Sequence, residues 1–117
     1  MQEQRKFARY NTEGRVLLKL QHDPGRSIKS DLVDISLMGI GVYAQEKIEV
    51  GSEVNFIIAH KFWKKSILGT GRVKYAMELK KTDSTVFRTG IEFVNLAEKE
   101  PIVFIIDRIN NIPASST

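Results

Sequence analysis

The chain has 117 residues, 42% of them hydrophobic, a formal charge of +4 and no cysteine. That length supports one domain with its own core and is too short for two; the lack of thiols excludes disulfides, thiolate nucleophiles and cysteine-ligated zinc or iron–sulfur sites. The charge is uneven: residues 1–30 hold seven Lys and Arg against three Asp and Glu, residues 31–117 hold eleven of each, so the excess positive charge sits at the front and favours an anionic partner.

The opening MQEQRKFARY contains no apolar run of signal-peptide length, and the longest aliphatic and aromatic run, IVFII at 102–106, is far shorter than a bilayer span. A soluble, cytoplasmic protein without membrane insertion is expected. Residues 1–13 read as a basic N-terminal segment. After Gly14, RVLLKLQ predicts a strand, and HDPG a turn. SIKSDLVDIS predicts the second strand: Ile28, Ser30 and Leu32 share one parity, Val33 and Ile35 the other, which calls for a bulge near Leu32. GIGVYA is a third short strand, and EKIEVGSE a polar connection turning at Gly51. VNFIIAH, SILGTGRVKYAMEL and TVFRTGIEFVN follow as strands four to six, with KKTDST as an exposed hairpin tip between the last two.

Six closely spaced strands, with glycines at the corners and no helix long enough for a crossover, predict an antiparallel barrel or sandwich. The helix comes last. NLAEKEPIVFIIDRINN sets Asn95 and Glu98 in capping-box spacing, places Pro101 in the first turn and repeats Ile102, Ile105, Ile106 and Ile109 at helical period. Val103 and Phe104 widen that apolar face, so the helix is expected to cover a barrel end, with some surface left for a dimer contact. The folded unit is assigned to 14–112, and 113–117 is expected to fray.

No catalytic constellation is evident. His22 and His60 each lack a second imidazole at ligand spacing; no GxSxG elbow occurs, and GTGR has neither the spacing nor the strand-to-helix context of a phosphate loop. Two other patterns stand out. In RKFAR, Arg5 and Arg9 are spaced RxxxR; in DISLMG, Asp34, Ser36 and Gly39 follow the order Asp or Asn, any residue, Ser, any two residues, Gly. In a chain of this composition the first arises by chance roughly 0.4 times and the second roughly 0.04 times, so their joint presence carries information.

In this order, RKFAR, VDISLMGIGV, VGSEVNFII, GTGRVKY, TGIEF and the closing amphipathic helix resemble the PilZ domain family, whose members bind the bacterial second messenger cyclic di-GMP on a six-stranded β-barrel. The resemblance covers nearly the whole chain. It implies an all-β dominated, six-stranded antiparallel barrel with a C-terminal helix. It also implies a ligand site in which Arg5 and Arg9 wrap over cyclic di-GMP from the front, while Asp34, Ser36 and Gly39 present a fixed surface. Lys6 stands where many relatives have another arginine, which keeps the charge and loses the planar fork.

The chemistry fits those residue types. The ligand carries two phosphodiesters and two guanines; an arginine fork spans guanine O6 and N7 or a phosphate, and its plane stacks on a base. A carboxylate at 34 accepts from guanine N1 and N2, a hydroxyl at 36 donates or accepts, and glycine at 39 permits close backbone approach. Phe7 and Tyr10 read as barrel plugs, and Arg72, Lys74 and Arg88 as cations on strand faces, one of which reaches the ligand at most. The expectation is therefore a receptor, not an enzyme, with no cofactor, a protein effector and a monomeric or weakly dimeric state. The competing readings are an adaptor that keeps the barrel without nucleotide and a small basic barrel binding single-stranded nucleic acid. The latter is disfavoured by the neutral charge of residues 31–117 and the lack of an exposed aromatic stripe.

Overall fold

Alternation of apolar and polar residues governs most strands of the computed structural model, which describes residues 7–111. In β1 (Tyr10–Leu20), Val16, Leu18 and Leu20 point inward; in β2 (Asp23–Ile35), Ile28, Ser30 and Leu32 do so; in β3 (Gly39–Ala44), Ile40, Val42 and Ala44. Val54, Phe56 and Ile58 of β4 (Glu53–His60), Ile67 and Val73 of β5 (Trp63–Lys80) and Ile91 of β6 (Thr85–Leu96) complete the interior. Period-two burial of this kind is what a sheet with one wet face requires.

All pairings are antiparallel, and the order β1-β2-β3-β6-β5-β4 closes on itself through β1 and β4. Closure removes the free edges that an open sheet exposes. The expected bulge is present: the β2–β3 register shifts between Leu32 and Asp34, so that Ile35 faces Ile40 inside while Asp34 lies opposite Gly41 on the outer side. Gly51, at a φ of 93°, turns the β3–β4 connection where a side chain would be strained.

Several boundaries differ from expectation. β1 begins at Tyr10, because Tyr10 and Asn11 pair with Ile35 and Asp34; the alternation after Gly14 marks only the half that lines the core. The first hairpin turns at Gln21 and His22, and Asp23 already pairs with Leu20, so the turn-forming DPG opens β2. The capping box does not form. Asn95 and Leu96 are held in β6 by pairing with Thr70 and Gly69, and a sheet ladder that satisfies these backbone groups outcompetes a helix start at the same place.

Helix α1 (Glu100–Asn110) follows Lys99, which makes no side-chain cap; its carbonyl accepts from the N–H groups of Ile102 and Val103. Glu100 in the first turn and Arg108 in the last complement the helix dipole. Pro101, Ile102, Ile105 and Ile106 are buried, and the helix packs on β1 and β5 at one end of the barrel. Val103 stays exposed, and Phe104 leans its ring on Trp63 at 5.4 Å. Tyr10 packs against the core cluster, as a plug should. No helix among the described residues is long and apolar enough to cross a membrane.

Candidate functional site

An outward-facing carboxylate should be wet, yet Asp34 is 5% exposed. Two guanidinium groups cover it. Arg9, just before β1, donates from Nη1 to Oδ1 at 2.9 Å; Arg88, in the middle of β6, donates from Nη2 to Oδ2 at 2.5 Å. Both are charge-assisted contacts, the stronger class of hydrogen bond. Arg88 reaches across β3 to do this, and the reason is Gly41: a Cβ there would lie 2.2 Å from Arg88 Nη1 and 2.7 Å from Asp34 Oδ1. The register that places Asp34, Gly41 and Gly90 side by side on β2, β3 and β6 therefore decides the site.

The turn that follows Asp34 is built by Ser36. Its N–H donates to the Gly39 carbonyl at 2.9 Å, and its Oγ accepts from the N–H groups of Met38 and Gly39, each at 3.1 Å. The hydroxyl also donates to the Gly39 carbonyl at 3.3 Å. One donor and two lone pairs are all a serine hydroxyl has, so Ser36 shapes the SLMG loop with its full capacity. Gly39 is equally constrained: an added Cβ would sit 2.2 Å from the carbonyl oxygen of Ile91, where β3 meets β6. The loop is pinned to β6 once more by the Phe93 N–H, which donates to the Met38 carbonyl at 2.7 Å.

The structure thus brings Arg9, Asp34, Ser36 and Gly39 to one side of the barrel, while Arg5 and Lys6 lie outside the described residues. Of the three strand cations, Arg72 pairs with Glu53 at 3.0 Å and Lys74 with Glu92 at 3.8 Å, both exposed; Arg88 alone of the three reaches Asp34. Tyr43, next to Arg88 across the β3–β6 pairing, receives the Arg88 guanidinium at 5.8 Å and Lys81 at 5.6 Å from its ring centroid. The side chains of Arg9, Arg88 and Asp34 leave a net local charge of +1, so an anion is favoured there. Gly41 is the residue that motif reading passed over. Its signal is visible only in the strand register.

His60 belongs to a different part of the molecule. Its Nδ1 accepts from the Phe62 N–H at 3.1 Å, which leaves the proton on Nε2 to donate to Thr12 Oγ1 at 2.8 Å. Burial, with Lys61 nearby, pushes its pKa below the usual imidazole value. No group of three or more His, Asp or Glu among the described residues is arranged to hold a metal ion. A groove of about 480 Å³ lies beside the SLMG loop, with Leu37, Met38, Phe93 and Val103 among its apolar lining residues and Asn95 and Lys99 among its polar ones.

Comparison with known proteins agrees with this architecture. The structure of the Bacillus subtilis inhibitor of motility, MotI/DgrA, matches with a TM-score of 0.70 at 17% identity, over 95% of this chain and 54% of that one. The PilZ domain of YcgR from Escherichia coli with cyclic di-GMP gives 0.66 at 13% identity and 92% of each chain. The YcgR crystal structure in complex with cyclic di-GMP, also from Escherichia coli, gives 0.72 at 16%, over 92% of this chain and 46% of that one. This chain spans about half the length of MotI/DgrA and of that YcgR chain, and at such identities the likeness shows the fold. No curated protein matches the sequence. The PilZ domain profile, by contrast, matches residues 3–107, and with that span covered the chain belongs to the PilZ domain family.

Proposed function

We propose that the domain is a cyclic di-GMP receptor, not an enzyme, and that Arg5, Lys6, Arg9, Asp34, Ser36 and Gly39 form its ligand site. The observation that carries this reading is the buried carboxylate of Asp34, held on the barrel's outer face between Arg9 and Arg88 beside the Ser36–Gly39 turn. Such a cluster is costly to maintain for stability alone, because ion pairs removed from water gain little against their desolvation. It offers what a guanine dinucleotide needs: acceptors for N1 and N2, guanidinium forks for O6, N7 and phosphate, and a net positive field. The YcgR structures of the same fold hold that dinucleotide, which supports the reading.

In this proposal the segment ahead of β1 moves. Arg9 leaves Asp34 for the ligand, and Arg5 and Lys6 close over it. Ordering about six residues costs roughly 6–12 kcal/mol, while hydrogen bonds to charged groups return about 1.5–3 kcal/mol each. Four or five contacts plus stacking leave moderate affinity, nearer micromolar than picomolar. The rearranged front segment and the groove beside the SLMG loop then form the surface that a protein effector reads. Calorimetry with cyclic di-GMP tests the site: saturable binding by the wild type, lost in Arg9→Ala and Asp34→Ala, is expected. Undiminished affinity in both variants overturns the site assignment, and flat titrations of the wild type favour a nucleotide-independent adaptor.

A further inference from the structure

Arg88 has more hydrogen-bonding capacity than Asp34 uses. Its Nη2 is paired with Asp34 Oδ2, yet its Nη1 is buried without an acceptor among the described residues. Buried unpaired donors are rare and disfavoured, and each calls for an explanation. This nitrogen is also held in place. It lies over Gly41, in space that a Cβ would take, and its guanidinium rests against the Tyr43 ring.

The pairing fixes what Nη1 stands beside. Asp34 brings two acceptor oxygens, and Arg88, hydrogen-bonded to one of them, brings a donor to spare: two acceptors and a donor in one cluster over Gly41. The Watson–Crick edge of guanine reads donor, donor, acceptor, as N2–H, N1–H and O6, and cytosine answers it with the complementary order. We infer that Asp34 and Arg88 together form a cytosine-like edge, with Arg88 Nη1 donating to guanine O6 while the carboxylate accepts from N1 and N2. This rests on the receptor reading and names the residue that selects the base. A carboxylate has about four acceptor sites, so Asp34 keeps Arg88 as it takes up guanine, and only Arg9 has to yield. Adenine places an amine donor where guanine has O6, and Arg88 repels it. Gly41 is the positioning residue, because it keeps the space above β3 clear for the guanidinium.

Titration of the wild type, Arg88→Met, Arg88→Lys and Gly41→Ala with cyclic di-GMP, and competition by cyclic di-AMP, tests the assignment. Arg88→Met is expected to weaken cyclic di-GMP binding about 10- to 100-fold while leaving cyclic di-AMP binding unchanged or tighter, so that discrimination collapses. Arg88→Lys restores the charge without the fork and recovers only part of the affinity. Gly41→Ala gives the same loss with all three polar groups present, because its methyl takes the space of Arg88 Nη1 and Asp34 Oδ1 and meets side-chain atoms, not backbone; its thermal midpoint falls no further than that of Arg88→Met. An equal loss for both dinucleotides assigns Arg88 to phosphate and overturns the base-edge role, as does binding of cyclic di-GMP by Arg88→Met within twofold of the wild type. A wild type that takes up no cyclic di-GMP overturns the receptor reading itself, and this inference with it.

Discussion

Arg9 and Arg88 hold the same carboxylate and are themselves held very differently. Arg88 sits in mid-strand, with β3 and β5 paired on either side and an aromatic ring against its guanidinium. Arg9 precedes the first paired residue of β1, and its side chain is 25% exposed against 19% for Arg88. One arm belongs to the wall and the other to the segment in front of it. A switch needs this asymmetry: a fixed reference that keeps the site's shape and an exchangeable contact whose free energy is comparable with a ligand's.

The wall can be broken most severely at Gly39. Its missing Cβ faces a backbone carbonyl that strand pairing prevents from moving, so Gly39→Ala should destabilise the fold by about 3 kcal/mol, read as a lowered urea midpoint. Gly41→Ala, whose clash falls on the side chains of Arg88 and Asp34, should lose about as much as removing the Arg88 contact, about 1–2 kcal/mol. Equal losses at the two glycines would contradict the distinction drawn between them. Asp34→Ala removes the joint between wall and leader and leaves two guanidiniums facing each other. With the two arginine side chains 25% and 19% exposed, screening reduces the penalty from the fully buried case to about 2 kcal/mol.

Splitting the two arms sharpens the comparison. Arg88→Met should lower stability by about 1–2 kcal/mol and Arg9→Met by less than about 1 kcal/mol, measured by denaturant titration of the two variants side by side; the reverse order would make Arg9 the structural arm. The smallest effect concerns how β1 is fastened near its start. His60 binds Thr12 in its neutral form, and its pKa is lowered in the folded chain. Below the unfolded imidazole value of about 6.5 the unfolded chain therefore takes up a proton that the native state refuses, so this contribution is complete above that pH and declines as pH falls through the folded value. The urea midpoint should drop as pH falls below about 6.5, and His60→Gln should flatten that part of the profile.

Much of the fold is legible in the residues because burial in a barrel is written at period two. Ile28, Ser30 and Leu32 against Val33 and Ile35 predict a bulge, and a bulge is where the β2–β3 register slips. Asn95 and Glu98 mislead for a related reason: a local capping signal is real, but the ladder partner of Asn95 on β5 lies 25 residues upstream and cannot be weighed from the segment itself. The candidate site divides the same way. Arg9, Asp34, Ser36 and Gly39 stand out by spacing, whereas Arg88 is one cation among several on β6 and neighbouring strands until the register sets it beside Asp34. Gly41 stands in no motif and turns out to be clearance for a guanidinium.

Composition and alternation alone determined that this chain forms one β-rich domain closed by a helix, with its positive charge in front, because a strand's inward side and a segment's charge depend on neighbours a few residues away. Which arginine meets Asp34, why that carboxylate is dry on an outer face, and what Ser36 does with its hydroxyl were decided only when residues up to 54 positions apart came together. Those contacts depend on strand register, and register is a property of the closed ring, not of any one strand.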